Sequence, residues 1–385
     1  MKEHLRRKLV VLVVMIAWAA SHSYGADSTN LKALLEKGLK KGYPGIAVLT
    51  QTADGKVQSA AAGYSNLEKH LPMQVDDAFH MASINKTFTA TSILQLVDRQ
   101  KLSLSATLKD CLGKAVERIP NSDRITIAQL LDHSSGIYAI NNDMDYLTTI
   151  IGPNADPHRV WKPQELIALA DKDRQQPAGE PGSGHFYSDT NYILLGMIVE
   201  RTSGKPYKEY VQESILGPLE MHNTYFYSSF LQGDVTSSVP TVQGYLMSTD
   251  ELRKVITVNP MFKPVAGDER KEGQLLNTTL AAERTDSAAG LVTTLPDLLK
   301  FASALFRGRL LKPASQQWIM SVGAQMDQQP INKKRVWVLQ SALQEFRCHH
   351  LQGRRWAWRS EHADGLPSRD RPHLSGFHKH FWLFR

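Results

Sequence analysis

The stretch "FHMASINKTFTA", residues 79–90, decides how the rest of the chain reads. Ser83 precedes Lys86 by three places on the first turn of an apolar helix that continues as "TSILQLVDRQ". On a helix, residues i and i+3 share a face, about 5–6 Å apart at Cβ, so the hydroxyl and the amine can touch. A serine hydroxyl is a weak nucleophile until a base takes its proton, and a lysine kept dry or beside another cation can serve. At a helix N-terminus the serine's own backbone N–H is also free to face an oxyanion. Taken alone, Ser-x-x-Lys is common, and a first helix turn with a solvated lysine is by far the better explanation of it.

A second cluster gives the pair company. In "FYSDTNYILLG", residues 186–196, Tyr187 and Asp189 lie where a Gly-rich loop, "PAGEPGSGHFYSD", enters a helix. A phenol near a lysine ammonium can share its proton and act as a base. Asp189 can position that lysine or bind substrate. The plainer alternatives are a packed aromatic at Tyr187 and, at Asp189, an N-cap for "TNYILLGMIVE".

Four stretches in order resemble the serine β-lactamase family, in the branch of class C β-lactamases and related D-alanyl-D-alanine carboxypeptidases and esterases. They are "MASINKTFTA", "ITIAQLLDHSSGI", "YSDTNYILLGMIVE" with "ILGPLEMHNTYF" after it, and "SAAGLVTTLPDLLKFASALF". The resemblance covers roughly residues 30–330, and the combination is far more specific than any one motif. It implies that Ser83 is the nucleophile, Lys86 its partner and Tyr187 the general base, with no metal or other cofactor. Asp189 stands where this branch usually has Asn, and is expected to bind substrate. His133, Ser135 and Gly136 match a family structural turn and are read as packing. The implied reaction is attack of Ser83 on an amide, ester or β-lactam carbonyl, an acyl-enzyme, then release to water or another acceptor. The implied partner is a small-molecule or peptide substrate: a peptidoglycan peptide, a β-lactam or an ester.

Composition fits a globular protein: 385 residues, 42% hydrophobic and 22% charged. The N-terminus "MKEHLRRKLVVLVVMIAWAASHSYGADS" has a basic start, an apolar run from Leu9 to Ala20 and small residues before a cut near Gly25. It reads as a signal peptide for secretion or the periplasm. The run falls short of the roughly 20 residues a membrane span needs, so no stable span is expected after cleavage. The net charge of +7 is carried by the two ends, since residues 26–335 hold 33 basic against 33 acidic side chains. The basic balance is therefore no argument for nucleic acid. Cys111 and Cys348 permit one pair, not a disulfide framework, and neither has the neighbours of a metal site.

Along the chain, "GIAVLTQT" and "KVQSAAAGYS" are strand-like runs joined by the turn signal "ADGK". A helix-and-loop block follows from about 105, then a return through "SAAGLVTT" into a helix. The pattern predicts an α/β (α+β) fold with an inserted helical domain, and the family resemblance implies an antiparallel sheet flanked by helices, with the inserted domain all helical. The expected division is 1–25 signal peptide, 26–105 with 285–335 the α/β domain, 106–284 the helical domain and 336–385 an aberrant tail.

That tail shows no sustained period of 2 or 3.6. It holds four of the seven Trp, six of the fourteen His and one of the two Cys. The family's third motif, His-x-Gly or Lys-Thr-Gly, supplies a second oxyanion N–H and helps hold the substrate carboxylate; no such motif follows residue 300. "HADG" from His362 and "SGFHKH" lack its form. A change of reading frame near Arg335 accounts for this. Trp has one codon, TGG, and read one base later each Trp is forced to Gly. Trp356-Ala-Trp358 then becomes Gly-x-Gly, and a permitted choice of codons completes a His-Gly-Gly. On this reading the C-terminal sheet strands are lost or disordered, and the chain is an impaired hydrolase. The alternative is a non-catalytic or decayed family member that binds cell-wall peptide or nothing. A metal or nucleic-acid role for the His- and Arg-rich tail is disfavoured, because "CHH" and "HKH" lack ligand spacing with a partner cluster.

Overall fold

The structure, a computed structural model, describes residues 14–18 and 28–325, except 41, 53–54, 141–142, 144–145, 147–155, 157, 172, 248–274 and 278–284. Residues 1–25, expected from the sequence to be a signal peptide, apart from Val14–Trp18, together with Cys348, the third-motif candidates and the 336–385 tail, lie outside the described residues.

Two strands read from the sequence form a hairpin, β2 (Gly45–Gln51) with β3 (Val57–Asn66), antiparallel from Gly45 opposite Gly63 to Gln51 opposite Val57. β4 (Leu71–Pro72) extends the sheet beyond β3. On the far side β1 (Val14–Trp18) runs parallel to β2, with Val14 opposite Ala47 and Trp18 opposite Gln51. That segment lies in the apolar run from Leu9 to Ala20, expected from the sequence to belong to a signal peptide. A run of apolar and aromatic residues also suits a strand, and the outer edge of β2 offers it a row of backbone donors and acceptors.

β2 is buried on both faces. Ile46 and Val48 pack with Leu31 and Leu35 of helix α1 (Ser28–Leu39), while Ala47 and Leu49 face the main core. The strict alternation follows from the period of two along a strand.

A second sheet has the order β5 (Ala78–His80), β9 (Leu291–Thr294), β6 (Tyr225–Phe226), all antiparallel. A third pairs β7 (Tyr245–Met247) with β8 (Leu275–Asn277). β6, β7 and β8 fall in the stretch 106–284 expected to be all helical. Two to three residues suffice for each, too short a run to show a period in sequence.

The remaining core is helical. α2 (Asn85–Asp98) is buried from Asn85 to Leu96, the signature of a helix enclosed on all sides. Short helices α3 (Leu108–Leu112) and α4 (Ile127–Leu131) each start with a capping box, Thr107 with Asp110 and Thr126 with Gln129, which satisfies backbone donors at the first turn. After α5 (Pro163–Ile167) comes α6 (Asp189–Ser203), which ends at Gly204 in the left-handed conformation. α7 (Tyr207–Val211), α8 (Tyr227–Gln232), α9 (Leu295–Phe306) and α10 (Pro313–Gln325) complete the set of helices used below. Phe88 of α2 stacks on Phe301 of α9 with ring centroids 3.8 Å apart. Among the described residues no helix is long and apolar enough to cross a membrane.

Cys111 lies on α3, partly buried against the core. Burial, with the nearby Asp110 carboxylate, pushes its thiol up to about 11. Thiolate is the reactive form, so at pH ~8 only about one Cys111 in 10³ is ionised, against roughly one in four for an ordinary cysteine. Iodoacetamide is expected to alkylate Cys111 about 10²-fold more slowly than a free cysteine, with the rate still rising toward pH ~11. Peptide mapping of alkylation against pH checks this. A rate levelling off near pH ~8.5 would contradict the burial.

Candidate active site

Ser83 is placed by the second sheet. β5 ends at His80, and the Met81 N–H donates to the Leu291 carbonyl of β9 at 2.8 Å. The chain then turns sharply. Ala82 has φ +44°, a left-handed value uncommon for a residue with a Cβ, and residues 82–84 form one turn of 3-10 helix that runs into α2. Backbone held in a sparsely populated region costs on the order of 1–3 kcal/mol and persists only where its surroundings impose it. Here the turn brings Ser83 to the head of α2, half-buried, with Lys86 buried beneath it.

Three acceptors surround Lys86 Nζ. Asp189 Oδ1 lies at 2.6 Å, the Ala288 carbonyl oxygen at 3.0 Å and Ser83 Oγ at 3.1 Å. An ammonium has three N–H donors and no lone pair, and this cage suits that form. The Lys86 and Asp189 side chains are 2% and 5% exposed, so two charges are buried together. Such a pair survives burial only with close approach and further hydrogen bonds; the two groups are 2.6 Å apart, and Lys86 also donates to Ser83 Oγ and the Ala288 carbonyl.

Tyr187 reaches the same point from the loop before α6. Its hydroxyl lies 2.7 Å from Ser83 Oγ, and Lys86 Nζ sits 5.2 Å from its ring centroid. The N-cap of α6 is Ser188, whose side chain donates to the Tyr138 carbonyl instead of capping; Asp189 is the first helical residue and its carboxylate turns to Lys86. The N-cap alternative for Asp189 is thereby set aside. The four residues singled out in the sequence, Ser83, Lys86, Tyr187 and Asp189, meet in one cluster.

His133 stands behind Tyr187. Its ring is 1% exposed and stacks on the Tyr187 ring at 4.3 Å and 26°. The turn 133–136 also holds the Gly-rich loop by backbone bonds: Phe186 N–H to His133 O, Gly182 N–H to Ser134 O and Ala178 N–H to Gly136 O, each 2.8 Å.

One contributor went unread in the sequence, the turn 285–290 that precedes β9. Three residues of α2 hold three successive carbonyls of it: Asn85 Nδ2 donates to Asp286 O at 2.5 Å, Thr89 Oγ1 to Ser287 O at 2.6 Å, and Lys86 to Ala288 O. The buried Tyr207 hydroxyl lies 2.6 Å from Thr89 Oγ1, and burial pushes its phenol up. Asp286 is half-buried, and the loss of solvent raises its carboxyl; the Ser228 hydroxyl, donating at 2.6 Å, and the Lys208 ammonium act against that rise. The segment "SAAG" was among the matching stretches, but a role played by backbone carbonyls leaves no side-chain signal. Among the described residues no group of three or more His, Cys, Asp or Glu is placed to hold a metal ion.

A serine whose hydroxyl meets both a phenol and an ammonium, at a helix head, is an arrangement suited to nucleophilic attack. Comparison with known proteins agrees in class. The family described as Beta-lactamase matches residues 31–328. Penicillin-binding protein 4* of Bacillus subtilis is 26% identical over 319 residues, 83% of this chain and 64% of that protein. The chain spans less than two thirds of the length of the curated relatives it matches. Among solved structures, a D-stereospecific amidohydrolase from Streptomyces sp. superposes with TM-score 0.59 at 26% identity, covering 76% of each chain. The D-amino acid amidase of Ochrobactrum anthropi SV3 complexed with D-phenylalanine gives TM-score 0.60 at 25% identity, covering 76% of this chain and 74% of that one.

Proposed function

The chain belongs to the beta-lactamase family, and from that premise we propose that it is a serine hydrolase that forms an acyl-enzyme on Ser83. The observation that carries the reading is the pair of bonds on Ser83 Oγ, to Tyr187 and to Lys86. Tyr187, as phenolate beside the Lys86 ammonium, takes the Ser83 proton while Oγ bonds to the substrate carbonyl carbon. The tetrahedral oxyanion faces the Ser83 backbone N–H at the head of α2. Tyr187 returns the proton to the leaving nitrogen or oxygen as the carbonyl–leaving-group bond breaks. Water, deprotonated by the same phenolate, then attacks the acyl carbonyl; the bond to Ser83 Oγ breaks as Tyr187 returns the proton to Oγ, releasing the acid and restoring the serine. Lys86 stays an ammonium throughout, and Asp189 holds it there.

The substrates in view are small amides, esters and β-lactams. The amidohydrolase and amidase similarities favour D-amino acid amides as the first compounds to try; the penicillin-binding-protein similarity brings in peptidoglycan peptides. The basic and apolar N-terminus supports secretion. Cleavage near Gly25 would also take β1 from the edge of β2. The absence of His-x-Gly or Lys-Thr-Gly from the sequence after residue 300 supports an impaired rate, since one missing oxyanion donor costs on the order of 10²–10³. The same absence favours the second reading, a family member that binds without turnover.

The deciding experiment is treatment with a fluorophosphonate probe, followed by mass mapping of the adduct. Slow labelling confined to the Ser83 peptide supports an impaired hydrolase. No labelling supports the non-catalytic reading, and labelling as fast as in an intact relative removes the impairment.

Lys86 is testable apart from its fold. Lys86→Met is expected to slow labelling about 10³-fold and to cost about 3–5 kcal/mol, because Asp189 keeps a buried charge without its ammonium. The double variant Lys86→Met with Asp189→Asn should recover most of that stability in urea unfolding and none of the rate. Equal stability of the single and double variants would mean that the ion pair is not what Asp189 is held for.

A further inference from the structure

We propose that His133 is a positioning residue for Tyr187, and that it acts only with its imidazole neutral. The proposal rests on the reading of Tyr187 as the base. It departs from the sequence expectation that the turn is mere packing.

His133 grips Tyr187 on three sides. Its carbonyl accepts from the N–H of Phe186, the residue before, at 2.8 Å. Its ring Nδ1 accepts from the N–H of Ser188, the residue after, at 3.2 Å. Its ring stacks on the phenol ring between them. Asn191 Nδ2, on the first turn of α6, lies 3.1 Å from the same Nδ1. The Asn191 side-chain oxygen Oδ1 in turn accepts from Ser135 Oγ at 2.7 Å. With two donors aimed at it, Nδ1 is the bare nitrogen of the neutral ring and Nε2 carries the hydrogen.

A proton on Nδ1 turns that acceptor into a donor. Asn191 can rotate its amide to accept it, but the Ser188 N–H is part of the backbone and cannot. The clash lies one residue from Tyr187. The other groups around the ring do not favour a charge there. His185 meets it edge-on at 5.8 Å, and Tyr192, fully buried with its phenol pushed far up, lies at 5.1 Å. Lys86 Nζ stands 5.2 Å and 5.6 Å from the ring centroids of Tyr187 and Tyr192, so an ammonium already occupies the neighbourhood. The nearby carboxyls are Asp132, itself raised by burial and engaged by the Ser134 N–H and hydroxyl, and Asp189, which is paired with Lys86.

The backbone explains the choice of residue. His133 has φ +59°, and outside glycine the left-handed region is tolerated chiefly by Asn, Asp and His. Asn places a non-titrating acceptor where Nδ1 stands and accepts that φ; Leu offers no acceptor.

The test follows fluorophosphonate labelling of Ser83 in the full chain and in the His133→Asn and His133→Leu variants from pH ~5 to ~9, the range that brackets histidine titration. In parallel, 15N spectra of the His133 ring give its tautomer and midpoint. Expected is a bare Nδ1 at neutral pH and a wild-type rate that falls on the acid side with the midpoint of the ring. His133→Asn should lose that limb, at a cost of about threefold in rate at pH ~8.5; His133→Leu should fall about 10²-fold, the size expected for a catalytic group misplaced by ~1 Å. An Nδ1–H at neutral pH, or the same acid limb in His133→Asn, overturns the proposal. A wild-type chain that never labels overturns the hydrolase reading instead. The ring contact between His133 and Tyr187 then decides the positioning role by NMR: loss of the contact on ring protonation sustains it, and persistence overturns it.

Discussion

Ser83→Ala is expected to abolish fluorophosphonate labelling and to lower any measurable amide or ester hydrolysis by about 10⁶-fold, the order seen when a serine nucleophile is removed from a hydrolase. The fold should survive. Ser83 is half-buried, and its hydroxyl is one of three acceptors around Lys86, with Asp189 and the Ala288 carbonyl still in place after the change. The lost hydrogen bonds cost about 1 kcal/mol each at most, because water can reach the vacated position beside Tyr187. Rate and thermal unfolding measured on the same preparation separate the two effects. An adduct that persists on another residue would remove Ser83 from the role, and with it the argument from the bonds on Oγ. A drop in Tm beyond a few degrees would mean that Ser83 holds the turn 82–84 together, a structural duty.

Gly136→Ala is expected to produce the largest loss of stability of any single methyl group added near the site. Gly136 has φ +74°, and a Cβ there would stand 1.9 Å from the carbonyl oxygen of Gly179. The obstacle is backbone, which no side-chain rotation relieves. The same residue's carbonyl accepts from Ala178 N–H at 2.8 Å, so the two strands of the loop must part where they are bonded. Gly204→Ala is the control. It has the same φ of +74° with nothing within 4 Å of its Cβ. It should cost only the left-handed conformation, about 1–2 kcal/mol. The Gly136 variant should lose at least ~3 kcal/mol, with the difference measuring the collision. It should also slow Ser83 labelling, since the turn 133–136 is what holds the loop carrying Tyr187. Equal losses at the two glycines in urea unfolding would show that the loop yields easily, and would weaken the case for a clamped Tyr187.

Much of the site was legible because its signals are local. Ser83 and Lys86 are three residues apart, and helical geometry alone places them on one face. The β2–β3 hairpin follows from two strand-like runs around a turn signal, and the family resemblance added Tyr187 to the pair. For Asp189 the sequence left open a helix cap, a lysine partner and the substrate contact that the resemblance implied, all chemically sound. The packing of α6 against α2 turned the carboxylate to Lys86 and not to the helix end, because a carboxylate that deep needs a cation and Lys86 lies within reach. The Ala288 carbonyl, 202 residues from Lys86 along the chain, carries no side-chain identity that a pattern could match. His133 was visible as part of a motif yet without a task. Its ring finds Tyr187, Ser188 and Asn191 more than fifty residues away, through a left-handed turn that periodicity does not encode. What the sequence by itself determined is therefore the chemistry available, a hydroxyl, an amine, a phenol and a carboxylate at helix starts. What only the tertiary structure decided is which of them face one another, since contacts between distant segments are set by how buried surfaces fit and not by the spacing of residues along the chain.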